Sequence, residues 1–276
     1  MLRDRALSAA IFVPPLLVVL ALGEPWFGLL VGVLVAVAAA ETVRLLRAAG
    51  YPAIHWIAVV GAVDVAIEVA SIEQLRPYAD LLLAAVLIVA AVTAFGEKDT
   101  RAGFGAWIGT TFAAVYAGML GGLVRIGQIV PPVPDGAPLA ALGAVRGWIL
   151  LVILLVWSFD TGAYCLGILL GKRKFLSHIS PSKSYWGLFG GFVASTAVAV
   201  AGMYALGRPV ALGLVFGPLV GAAAQAGDLA ESMLKRAAGA KDSGGLIPGH
   251  GGILDRTDSF LFAAPVAAIL VAALAR

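Results

Sequence analysis

Long, closely spaced apolar blocks constrain this chain more than any other feature. A helix that spans a bilayer needs about 20 mostly apolar residues. Nine stretches approach that length: Leu7–Leu22, Trp26–Leu46, Ile54–Ala70, Tyr78–Phe95, Phe104–Val124, Gly147–Leu170, Gly187–Leu206, Val210–Leu229 and Ile253–Ala275. Composition agrees, with 61% of the residues hydrophobic and 13% charged, where a soluble domain carries about a quarter of its residues as charged groups. The expected fold is all-α: a polytopic integral membrane helical bundle of about nine transmembrane helices. It reads as one membrane domain over 1–276, with residues 1–125 forming N-terminal helices and 147–276 carrying the polar segments. The first block lacks a small-residue cleavage site and is followed at once by another, so it reads as a retained span.

The basic residues give an orientation. With nine spans and a cytoplasmic N-terminus, Arg76, Arg125, Arg146, Arg208 and Arg276 fall outside, and the other 14 of the 19 Lys and Arg fall inside. Positively charged loops stay in the cytoplasm, so the N-terminus is expected inside and the C-terminus outside. A net charge of +3 is too small to argue for nucleic acid. One cysteine, Cys165, excludes an internal disulfide.

Polar residues gather in two cytoplasmic segments. Asp228, Ser232 and Lys235 fall at i, i+4 and i+7 on one face of the eighth span, with Glu231 beside them and Arg236 following. Lys241-Asp242-Ser243-Gly244-Gly245 comes next, then Pro248-Gly249-His250-Gly251-Gly252, and the ninth span opens with Asp255-Arg256-Thr257-Asp258. A polar interhelical turn accounts for one such acid but not for five acids and five basic groups, His250 included, between 228 and 258. Carboxylates at two helix ends suit Mg²⁺, which prefers oxygen ligands and bridges protein to substrate phosphates. Lys and Arg neutralise phosphate, and the glycines admit backbone N–H groups close to phosphate oxygens. There is no GxxxxGK[ST] loop, so a Walker-type nucleotide site is excluded.

Ser232-Met-Leu-Lys235-Arg236, Lys241-Asp242 and Pro248-Gly-His250-Gly-Gly-Ile-Leu-Asp255-Arg256-Thr-Asp258 resemble the signature of phosphatidate cytidylyltransferases. Gly227-Asp228-Leu229-Ala230-Glu231, Asp160-Thr161-Gly162-Ala163-Tyr164 and Ile179-Ser180-Pro181-Ser182-Lys183-Ser184 fit the same family. These matches cover roughly a quarter of the chain. The sequence departs from the family at Trp186, where an acidic residue is usual.

The resemblance implies transfer of CMP from CTP to phosphatidic acid, giving CDP-diacylglycerol and pyrophosphate at the cytoplasmic face of the inner membrane. It implies Mg²⁺ on Asp228 and Asp255, a second, monovalent cation such as K⁺ nearby, and a homodimer. Lys235, Arg236, Lys241 and Arg256 would meet the CTP phosphates or the lipid head group, with Asp242 and Asp258 in the same catalytic set. Ser180, Lys183 and Ser184 would close the site, and Ser232, His250, Gly251 and Gly252 would line it. Asp160 would sit deeper, facing the polar cavity. Two other readings stay open: a CTP-dependent polyprenol or dolichol-type kinase, and an ion-coupled transporter using Asp64, Glu68, Asp160 and Asp228 as a relay.

Elsewhere, Ser158 or Thr161 would satisfy Asp160 if its role were only structural. Asp64 and Glu68 mark either an ion path or an interface-facing helix. Glu41 and Arg44, at i and i+3, are expected to pair with each other. Tryptophans 26, 56, 107 and 148 fall near span ends, as in an interfacial belt. Three separated histidines and one cysteine make a zinc site improbable.

Overall fold

The computed structural model describes residues 14–246 and 251–275, all as helices, turns and loops apart from isolated bridge pairings. The helices are α1 (14–22), α2 (Trp26–Ala48), α3 (His55–Ala70), α4 (Arg76–Ala94), α5 (Thr100–Gly118), α6 (Gly122–Ile129), α7 (Ala144–Leu170), α8 (Tyr185–Ala205), α9 (Gly213–Ala237) and α10 (Leu254–Leu274). Residues 7–13 of the first expected span, and His250, lie outside the described residues.

Six helical segments are long and apolar enough to cross a membrane: Trp26–Ala48, Thr100–Ile129, Ala144–Leu170, Tyr185–Ala205, Val210–Ala237 and Leu254–Leu274. Each coincides with an apolar block expected to span. The chain is therefore an all-helical, integral membrane bundle. α3, at 16 residues, and the apolar part of α4, Tyr78–Ala94, are shorter.

Hydrophobicity does not bring helices together inside a bilayer, because lipid tails are as apolar as leucine. Small residues that allow close backbone approach do that work instead. α7 and α8 pack tightly where Gly162 faces Gly190: a Cβ added at Gly162 would lie 2.4 Å from the Gly190 carbonyl oxygen. α5 tightens into a 3₁₀ turn at Met119–Gly121 and continues as α6. This helix outlasts the expected span end at Val124 because Gly118, Gly121 and Gly122 press against α3 and against α10 beside Pro265.

Trp148 corrects the interfacial-belt expectation. It is fully buried and packs against Phe216 on α9, whereas Trp26, Trp56 and Trp107 are exposed. Asp64 is buried in α3, and neither of its carboxylate oxygens has a hydrogen-bond partner.

Long-range hydrogen bonds sort the two ends of the bundle. At one end Arg146 donates to the Leu20 and Ala21 carbonyls, and Arg208 donates to Pro132. At the other end the C-termini of α2 and α9, the N-terminus of α10 and the 171–184 loop meet. Two of the arginines expected outside thus share one end, and the polar motifs share the opposite end.

Candidate active site

The site is assembled at the C-terminus of α9, where helical spacing puts Asp228, Glu231, Ser232 and Lys235 on neighbouring turns. Glu231 is completely buried, and Lys235 reaches back one turn to pair with it. The same ammonium donates to Asp255 Oδ1 at 2.7 Å, which ties α9 to the first turn of α10. Asp228, half-buried, pairs with Lys183 from the 171–184 loop. Ser232 Oγ lies 3.5 Å from Asp228 Oδ1, and Gln225 Nε2 lies 3.4 Å from Oδ2.

Asp255 is the most heavily engaged carboxylate. Its Oδ2 accepts from the Ser243 N–H, the Ser243 hydroxyl and the Gly252 N–H, each at 2.8 Å. The Gly252 N–H, expected to face a phosphate, is here directed at Asp255. Gly251 adopts φ +79, a left-handed conformation that glycine reaches without a Cβ penalty, and a side chain there would strike Asp255 Oδ2. Asp258 accepts from the Ser259 N–H at 2.6 Å and lies within electrostatic reach of Asp228, Glu231 and Asp160.

Asp160 is not satisfied by its neighbours on α7. Ser158 and Thr161 turn their hydroxyls onto the helix carbonyls of Leu155 and Trp157. Asp160 is exposed and lies within electrostatic reach of Lys183 and Asp228.

The 171–184 loop is a short hairpin closed by a bridge between Lys174 and Ser184. Arg173 lies over the Tyr185 ring at 5.2 Å. Ser184 caps α8 by accepting from the Gly187 N–H at 3.1 Å, and Ser180 is buried with its hydroxyl 3.4 Å from that of Ser182. Arg236 donates to the Ile179 and Ala240 carbonyls, so it holds this loop and the end of α9 together. Lys241, Asp242 and Arg256 are exposed at the rim.

Three more residues reach these groups: Glu41 and Arg44, expected only to pair with each other, and Tyr116, which the sequence did not single out. Glu41 and Arg44 do not serve each other. Glu41 accepts from Ser243, Ile253 and Leu254, and Arg44 donates to the Ser243 carbonyl. The signal was present, because an acid in an apolar helix is costly and needs a reason. Its partners, about 200 residues away, were not readable. Tyr116, on α5, stacks on Phe112 and meets the edge of Phe262. Its buried hydroxyl has no hydrogen-bond partner and lies within electrostatic reach of Glu231, Asp258 and Asp228.

Five carboxylates (Asp160, Asp228, Glu231, Asp255 and Asp258) thus gather about two ammonium groups, Lys183 and Lys235. These two ammonium groups do not by themselves neutralise five carboxylates, of which Glu231 is completely buried. Among the described residues no three Asp, Glu, His or Cys side chains converge into a metal cage. This donor set fits Mg²⁺, which takes one or two protein carboxylates and fills the rest of its shell with water and substrate phosphates.

A sequence model of the cytidylyltransferase family matches residues 3–274. Among curated proteins, the chain is 49% identical over 119 residues to a phosphatidate cytidylyltransferase of Synechocystis sp.. That match covers 42% of this chain and 40% of the relative. Over 126 residues it is 45% identical to the enzyme of that name from Staphylococcus saprophyticus and 47% identical to that from Staphylococcus epidermidis, covering 45% of this chain and 48% of each relative. The chain thus spans about half the length of the curated relatives it matches. With the family model extending over nearly its whole length, the chain belongs to the cytidylyltransferase family.

Proposed function

We propose that this protein is a CTP:phosphatidate cytidylyltransferase: it joins CTP to phosphatidic acid, forming CDP-diacylglycerol and pyrophosphate. The observation that carries the reading is the meeting of Lys183, the acids and lysine of α9, and Asp255 at one end of a membrane bundle. There a water-soluble polyanion and a lipid head group can share one cation-rich rim. The basic residues cluster at that end, which by the positive-inside bias is the cytoplasmic end, at the inner membrane.

In this reading the phosphate of phosphatidic acid attacks the α-phosphorus of CTP, and the bond to the β-phosphate breaks. The attacking oxygen is already ionised, so the protein's task is alignment and charge neutralisation. Lys183 and Lys235, which pair with Asp228 and Asp255, are the cations placed to turn onto the phosphates. Arg236, Lys241 and Arg256 sit where the triphosphate or the head group enters. Asp228 and Asp255 would hold Mg²⁺, which on binding would neutralise charge developing on the pyrophosphate leaving group. A second, monovalent cation such as K⁺ nearby belongs to the same proposal. Ser180, Ser184 and Ser232 line the walls, and a homodimer is part of the same proposal.

The decisive assay incubates the purified protein with phosphatidic acid, Mg²⁺ and CTP labelled at either the α- or the γ-phosphate. The α-label is expected in the lipid product and the γ-label in pyrophosphate. Label from the γ-position in the lipid would instead make the protein a CTP-dependent lipid kinase. No labelled lipid from either nucleotide would end the proposal.

Two smaller predictions arise here. Tyr116→Phe removes a buried hydroxyl that lies within reach of the carboxylates without a protein partner; if it donates to bound substrate, kcat/KM is expected to fall about tenfold, the worth of one hydrogen bond to a charged group. An unchanged kcat/KM would exclude the hydroxyl from the site. Trp186→Glu is expected to keep activity within about a factor of two. Trp186 is exposed in the first turn of α8 and packs on Phe189, and an acid is favoured at a helix N-terminus.

A further inference from the structure

The glycines and hydroxyl of the 241–252 segment are explained as much by a residue far from them in sequence as by phosphate binding. α10 begins without a cap of its own, because Ile253 stands at its N-cap and offers no side-chain acceptor. The first N–H groups of a helix have no intrahelical partner and must be satisfied from elsewhere. Glu41, near the C-terminus of α2, supplies the acceptor. Its Oε1 accepts from the Ile253 N–H at 3.2 Å, and its Oε2 accepts from the Leu254 N–H at 2.7 Å. Its carboxylate is only 6% exposed, and the positive end of the helix dipole favours a negative charge there.

The same carboxylate reaches Asp255 through one side chain. Ser243 Oγ lies 3.0 Å from Glu41 Oε2 and 2.8 Å from Asp255 Oδ2, and it accepts the Asp255 N–H at 3.2 Å. A hydroxyl has one proton, so it serves one carboxylate at a time. Arg44, one turn along α2, fixes the Ser243 carbonyl. Glycine is required beside this arrangement, since a Cβ at Gly252 would lie 2.3 Å from both Glu41 oxygens and one at Gly244 would lie 2.3 Å from Oε1.

We infer that Glu41 is a positioning residue of the site: through Ser243 and the Ile253 and Leu254 N–H groups it fixes the start of α10 and aims the Asp255 carboxylate. α2, which the sequence motifs do not reach, is then part of the catalytic apparatus. The inference rests on the functional reading above.

Glu41→Gln tests it, because the amide keeps the size of the side chain but offers one acceptor oxygen in place of two. In the purified full-length protein, kcat for labelled CDP-diacylglycerol is expected to fall about 30-fold, with KM for CTP moving less than about threefold, as for a small misplacement of aligned groups. Amide hydrogen exchange of 251–254 is expected to quicken about tenfold or more, with exchange in α7 and α8 unchanged. Ser243→Ala breaks the same link from the loop side, is expected to give the same signature, and covers the case in which Glu41→Gln fails to fold.

A wild-type kcat in a folded variant overturns the inference. So does a lowered kcat without faster exchange at 251–254, or loss of fold in both variants. If the wild-type protein makes no labelled lipid, the functional reading fails by itself, and the exchange comparison still decides whether Glu41 holds the segment.

Discussion

Asp255→Asn is expected to abolish lipid product, by about 10³-fold or more, while the protein still inserts into the membrane in normal amount. The wild-type carboxylate accepts three hydrogen bonds on Oδ2 and the Lys235 ammonium on Oδ1. Asparagine has one oxygen. Whichever way its amide turns, an NH₂ group faces either Lys235 or the donors of Ser243 and Gly252. Breaking a buried, charge-assisted set in this way costs about 3–5 kcal/mol, which corresponds to a rate factor of roughly 10²–10⁴ if the site must be intact to react. Loss of one negative charge from a cation-binding cluster adds to that. The fold itself should persist, because α10 is held by packing against α9 and α6 along its apolar length. The check is product formation from labelled CTP, alongside membrane content and a monodisperse detergent-solubilised protein. Wild-type turnover in this variant would remove Asp255 from the site.

Lys235→Met is the second large effect, and it should appear in stability as well as in activity. Among the described residues the ammonium is the one ion-pair partner of Glu231, whose side chain is 0% exposed, and it also pairs with Asp255. A buried pair contributes modestly as a pair, but removing one member leaves an uncompensated charge, at about 3–5 kcal/mol. Lys235→Met is therefore expected to destabilise the protein by about 3 kcal/mol in a denaturant titration of the detergent-solubilised protein. Glu231→Gln alone should change stability little, because Lys235 keeps Asp255. The double variant should recover about half of the loss, since the carboxylate that suffered is gone. A double variant no more stable than Lys235→Met would show that Glu231 is not the group left exposed to the penalty. Activity should be lost in both variants that lack the lysine.

The Glu231–Lys235 pair is local, since the two residues lie four apart on one helix, but the spacing read from the sequence sets Lys235 on the face of Asp228, with Glu231 only beside it. The apolar blocks were legible for an equally local reason, since hydropathy over about 20 residues decides what a bilayer accepts. Of the motif residues at the ends of α9 and α10 and in the 171–184 loop, the structure brings Lys183 to Asp228 and Lys235 to Asp255. That pairing was not specified by spacing.

What the sequence by itself determined is the helical bundle, the crowding of polar groups at one of its ends and the chemistry those groups suit. Only the tertiary structure decided which helices touch, and so which distant residues enter the site. It placed Glu41 and Arg44 on Ser243, turned Tyr116 toward the acids, and buried Trp148 instead of leaving it at an interface. The physical reason lies in the solvent. In water a helix shows which face packs inward, because the other face is polar. In lipid both faces are apolar, and helix pairing rests on close-fitting small residues and scattered polar contacts that no local pattern announces.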